Sequence, residues 1–121
     1  MREVRFYRTL AGHCPVEEFL DALSGKQAQK VAWVLRLVEE IEAVPSQYLK
    51  KLVGTRGLWE VRAQHGGDTF RLIGFFDGAR LLVLTSGFAK KTEKTPHQEI
   101  ALAEKRRQDY LSRRQDHERP N

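Results

Sequence analysis

The chain has 121 residues, enough for one compact domain with its own core and too few for two of ordinary size. Its formal charge of +5 and pI near 9.6 favour an acidic or nucleic-acid partner and leave the fold open. A single cysteine, Cys14, excludes an internal disulfide framework, and the scattered His13, His65, His97 and His117 give no zinc-ligand spacing, so neither metal nor cofactor is expected.

The N-terminal MREVRFYRTL carries charge in every turn and has no apolar run of signal-peptide length. Nowhere do about 18 apolar residues run together, so a soluble cytoplasmic protein is expected. Residues 3–7 alternate and predict a short strand with Val4 and Phe6 on one face. CPVEEFLDALSG predicts a helix, with Pro15 at its first position and Glu17 and Glu18 at the positive end of the dipole. Val16, Phe19, Leu20 and Leu23 form its stripe, and Gly25 is the expected stop. A second helix is expected from about Lys26 to Val44, apolar along Val31, Val34, Leu35, Val38 and Ile41 and ended by Pro45, with Trp33 assigned to the core.

After the loop QYLKKLVGTRG the period becomes strand-like. LWEVRAQH, DTFRLIGFF and ARLLVLTS are separated by Gly66-Gly67 and Asp77-Gly78, both hairpin signals, and predict an antiparallel meander. TPHQ opens a last helix, with Thr95 as N-cap, Pro96 at the first position and Gln98 completing a capping box. Ile100, Ala103, Arg107 and Tyr110 share one face of it, so packing by the first half and fraying beyond are expected. The polar end of the chain reads as disordered, giving one domain over residues 1–112 and a tail over 113–121. The class is α+β, an N-terminal helical hairpin packed on a twisted antiparallel sheet, followed by a C-terminal helix.

Charge is unevenly placed: residues 15–45 carry six acids against three bases, and residues 46–91 carry eight bases against three acids. A two-residue turn at Gly66-Gly67 sets Arg62 opposite Arg71, away from the face carrying Trp59, Val61, Phe70 and Leu72. Like charges opposed across a sheet destabilise it unless water or an anion lies between them. The same pattern also suits an ordinary solvated surface. The second turn, read the same way, puts Leu84 beside Arg71 and sends the chain toward Lys90 and Lys91. Lys50 and Lys51 enter from the loop before the first strand of the meander. Three segments thus bring cations to one face, as a phosphate footprint requires. His97, near a helix N-terminus and close to lysines, is expected to have a lowered pKa and to accept a proton, unless it is an incidental surface histidine.

GLWEVR, RLIGFF and SGFAKKTEKTPHQEIALA resemble the RelE/ParE superfamily of type II toxin–antitoxin toxins, most closely its phage-derived HigB-like branch. The resemblance covers roughly residues 50–105. It implies an endoribonuclease that cleaves mRNA on the ribosome without metal, the substrate 2′-hydroxyl attacking the adjacent phosphate, and that is neutralised by a helix-turn-helix antitoxin. Arg71, Lys90, Lys91 and Arg62 match the basic set of such enzymes, and His97 falls near where relatives have a tyrosine or histidine. The chain departs from RelE at Glu60, where that toxin has a lysine. In this reading Arg62 and Arg71 clamp the phosphate, His97 is the base, and Lys90 or Lys91 serves the leaving oxygen. Lys50, Lys51, Phe88 and Lys94 contact the RNA, Phe88 by stacking. A ParE-like inhibitor of DNA gyrase, or a basic module that binds RNA or ribosomes without cutting, are the alternatives.

Overall fold

Period-2 and period-3.6 stretches alternate along the chain as the computed structural model lays them out. The model describes residues 1–90 and 94–118, with side chains as far as 114. The elements are β1 (Glu3–Phe6), α1 (Pro15–Asp21), α2 (Gly25–Glu40), β2 (Leu49–Lys51), β3 (Leu58–His65), β4 (Asp68–Asp77), β5 (Leu81–Lys90) and α3 (His97–Glu118). The strands form one sheet in the order β1-β5-β4-β3-β2. The expected meander is its antiparallel middle, β3-β4-β5. The segment expected as a loop contributes β2 at one edge, and β1 pairs parallel with β5 at the other.

Gly25, expected to stop α1, instead opens α2. Ser24 is the N-cap: its hydroxyl accepts from the Gln27 N–H at 3.2 Å, while the Gln27 side chain accepts from the Ser24 N–H at 3.0 Å. This reciprocal pair satisfies two donors at the helix start. The helix ends at Glu40, earlier than expected, because Ile41 turns extended (φ −94°, ψ 128°). The Arg2 guanidinium then takes the free carbonyls of Val38, Ile41 and Glu42 at 3.1, 2.6 and 2.6 Å. Ile41 is therefore exposed, and the buried stripe is Val31, Val34, Leu35 and Val38. Trp33 also departs from expectation: it is 44% exposed.

The sheet has two apolar faces. Val61, Ala63, Phe70, Leu72, Leu82 and Leu84 pack under α1 and α2, with Phe19 and Trp59 partly buried beside them. Leu58, Ile73, Phe75 and Val83 face Ala103 of α3 and Tyr7. Among the described residues no helix is long and apolar enough to cross a membrane.

The first hairpin has the expected register. Gly66 takes φ 62°, as the first central residue of a type II′ turn requires, and Arg62 lies opposite Arg71. The second hairpin corrects the expectation. Asp77 pairs with Leu81, which makes a three-residue loop, and a bulge at Thr85 shifts the ladder from Gly74↔Leu84 to Ile73↔Ser86. Arg71 consequently faces Phe88 and not Leu84. A bulge also reverses side-chain alternation. Ser86 and Phe88 turn toward α3, while Gly87 takes the other face, where a Cβ would come within 2.4 Å of Phe19 Cδ2.

The start and end of α3 differ from the expectation as well. The helix begins at His97, after Pro96, and the Thr95 hydroxyl donates to Glu60 at 2.6 Å. It continues to Glu118 through the region expected to be a disordered tail. Its second half is anchored to the sheet: Tyr7 donates to Asp109 at 2.6 Å and Tyr110 to Asp77 at 2.8 Å, with Arg113 and Arg114 paired to those carboxylates.

Candidate nucleic-acid interface

Opposed residues on neighbouring strands share a face, so the registers define three rows on the α3 side of the sheet. Arg62, Arg71 and Phe88 make one row across three strands, with Gln64, Thr69 and Lys90 beyond it. Lys50, Glu60, Ile73 and Ser86 lie on its other side. The helix packs on Ile73, Ser86 and Phe88 of these rows, while Arg62 and Arg71 are partly exposed.

Two opposed arginines are tolerated here because a carboxylate lies between them. Glu60 is fully buried. Its Oε1 accepts from Arg62 Nε at 3.2 Å and lies 3.4 Å from Arg71 Nε. Its Oε2 accepts from the Thr95 hydroxyl at 2.6 Å. The carboxylate meets the Nε edge of each fork, which orients both guanidiniums, and the side chains are only 23% (Arg62) and 13% (Arg71) exposed. Two arginines and one glutamate leave the cluster with one net positive charge.

The remaining predicted residues divide by geometry. Lys90 ends β5 on the same face, opposite Thr69. Phe88 is half-buried against the α3 layer. The two lysines of β2 part company: Lys50 is opposite Glu60 and shares its face, while Lys51, opposite Trp59, belongs to the other. Lys94 is exposed just before Thr95, and His97 stands exposed two residues after it at the start of α3. The Thr95–Glu60 hydrogen bond therefore draws the segment carrying Lys94 and His97 to the arginine pair. Lys91 lies outside the described residues.

Glu60 and Thr95 join the arginine cluster, a placement that sequence reasoning passed over. The i, i+2 spacing of Glu60 and Arg62 on a strand already placed acid and base on one face. Thr95 was assigned to the helix cap. Cys14 is not a nucleophile candidate, since it is buried and burial pushes its thiol up. Among the described residues no three His, Cys, Asp or Glu side chains are arranged to hold a metal ion.

A helical hairpin on one face of a small mixed sheet and a C-terminal helix on the other define an α+β domain of the RelE-like kind. A family model described as phage-derived protein Gp49-like (DUF891) matches residues 18–108, most of the chain, and the chain belongs to that family, one of RelE-like toxins. No curated protein matches the chain.

Proposed function

We propose that this chain is the toxin of a type II toxin–antitoxin system, a metal-independent endoribonuclease that cuts mRNA on the ribosome and is neutralised by a helix-turn-helix antitoxin. The observation that carries the reading is the Arg62–Glu60–Arg71 cluster. It holds two guanidinium forks in fixed orientation on one sheet face, with Lys90 on the next row. Cleavage by the neighbouring 2′-hydroxyl builds negative charge on a pentacoordinate phosphorus. Fixed forks stabilise that charge without reorganising, which is where electrostatic catalysis is largest. His97 removes the 2′-hydroxyl proton. Lys90 or Lys91 delivers a proton to the departing 5′-oxygen or stabilises its charge, leaving a 2′,3′-cyclic phosphate and a 5′-hydroxyl.

The test is to add purified protein to translating ribosomes and map new mRNA ends. Wild type gives new ends. Arg71→Ala lowers their rate by about 100- to 1000-fold, and His97→Ala by about 100- to 10,000-fold. Arg71 also touches buried Glu60, so a thermal melt of the Arg71→Ala protein accompanies the assay. Arg71→Lys, which keeps the charge and loses the fork, is expected to stay folded and remain impaired. An unchanged rate in His97→Ala removes it as the base. The absence of new ends in wild type, with gyrase-dependent supercoiling inhibited instead, replaces the nuclease by the gyrase reading.

A further inference from the structure

An open groove of about 460 Å³ leads away from the arginine pair, around the end of the sheet, to α2. Arg62 and Arg71 of the sheet and Lys30 of α2 line it together with Gln47, Tyr48 and Gln64; among the described residues no carboxylate lines it. Tyr48 is half-buried and stands edge-on to the exposed Trp33, ring centroids 5.6 Å apart at 76°. Lys30 Nζ lies 4.4 Å from the Trp33 ring centroid, so this cation is held beside the aromatic pair. The groove is tied to the site by backbone, since the Arg62 N–H donates to the Tyr48 carbonyl at 2.8 Å. At the turn end Gln27 donates to Asp68 at 3.3 Å, linking α2 to the β3–β4 hairpin, and the Glu60 carboxylate lies against the two arginines.

Cations from the sheet and from α2, an aromatic ring and amide side chains lining one groove are what an unpaired nucleic-acid strand needs: phosphate contacts, a stacking surface and base-edge partners. We propose that this groove carries the RNA on one side of the phosphate held by Arg62 and Arg71. Tyr48 stacks on a base adjacent to that phosphate, and Lys30 contacts the backbone beyond it. The inference rests on the RNA-cleaving reading only for the kind of strand that enters.

The test measures binding of a short fluorescent 2′-O-methyl RNA oligonucleotide, which lacks the attacking hydroxyl and cannot be cut, by anisotropy across a salt series. Tyr48→Ala is expected to weaken binding roughly 5- to 150-fold, the effect of losing one stacked base, and Tyr48→Phe to retain it. Lys30→Glu weakens binding and makes the salt slope shallower by at least about 0.7, the single-strand value per phosphate contact. Lys105→Glu, exposed on α3, is the control and stays close to wild type. Because Tyr48 also packs at the edge of the α1 and α2 layer, Lys30→Glu tests the groove without touching that packing. If both groove variants bind like wild type while Arg71→Ala does not, the groove is overturned and the nuclease reading survives. Binding that depends on Tyr48 and Lys30, from a protein that makes no new mRNA ends, sustains the groove and removes the nuclease. Variants that keep RNA affinity but escape the antitoxin would make this a protein-docking surface and overturn the proposal.

Discussion

Glu60 decides what the two arginines can do. Without it, guanidiniums opposed on neighbouring strands would repel; with it, one carboxylate oxygen accepts from Arg62 Nε at 3.2 Å and stands 3.4 Å from Arg71 Nε. The carboxylate is fully buried, so removing it takes away the acceptor that faces both guanidiniums and the Thr95 hydroxyl. Glu60→Ala is expected to lower unfolding free energy by about 3–5 kcal/mol, measured by urea denaturation. Glu60→Gln, of the same shape, is expected to lose less, since the side-chain oxygen can still accept from Arg62 and Thr95. In a double-mutant cycle, Glu60→Ala combined with Arg62→Ala loses less than the sum of the single changes, by about 0.5–3 kcal/mol. An additive cycle would show that the pair contributes nothing as a unit. The Arg62–Arg71 pairing was legible in the sequence because a Gly-Gly turn fixes its register by local chemistry. The burial of Glu60 was not, because it depends on β4 and on Thr95, 35 residues away along the chain.

At the scale of the element, the bulge in β5 turns the later half of that strand over. A two-residue turn at Asp77-Gly78 is the natural expectation, but the loop holds three residues and the bulge at Thr85 shifts the register by one more, so Phe88 arrives opposite Arg71. No local sequence signal marks Thr85. What sustains the bulge comes from α3: Arg106 donates to the Thr85 carbonyl at 2.8 Å and to the Ser86 hydroxyl at 2.9 Å, while the Thr85 hydroxyl donates to the Ile73 carbonyl at 3.2 Å. A bulge interrupts the ladder, and a buried carbonyl left there needs a donor from elsewhere. Arg106→Met keeps the aliphatic bulk and removes the donor. It is expected to cost about 1–3 kcal/mol of stability in a urea melt and to accelerate hydrogen exchange of β5 amides near residues 85–88 ahead of those in β3. Uniform exchange across the sheet would mean that Arg106 supports the fold in general and not the bulge in particular. The α1 and α2 layer, by contrast, was readable from period and capping alone, and even there Ser24 with Gln27 was missed because Gly25 drew attention as a stop.

Across the whole molecule, α3 is fastened to the sheet face by two tyrosine–carboxylate–arginine groups, one around Asp109 and one around Asp77, and this makes docking of the helix depend on pH. The hydrogen bond from Tyr7 holds the Asp109 carboxyl below its ordinary value, with Arg113 adding to the effect. At Asp77, burial pushes the carboxyl up, but Tyr110 and Arg114 together outweigh it and the net direction is down. Burial, and then the hydrogen bond to the aspartate, pushes both Tyr7 and Tyr110 up. Carboxyls lowered by folding contribute stability that is fully present above about pH 4 and is lost as pH falls through their folded values. Phenols raised by folding contribute stability present below about pH 10 and lost as pH rises through their folded values. Stability is therefore expected to be flat between these limits and to fall at both ends, as read from urea midpoints across a pH series. The paired change Tyr7→Phe with Tyr110→Phe lowers the plateau and flattens the alkaline fall. Asp77→Asn with Asp109→Asn does the same for the acid fall. Since α3 begins at the Thr95–Glu60 contact, undocking it would also release His97 from the arginine pair. The mechanism proposed for cleavage needs an unprotonated base, so activity should be lost at a higher pH than α3 protection in hydrogen exchange. Activity that persists until α3 protection is lost would argue against an imidazole base and for control by docking of this helix.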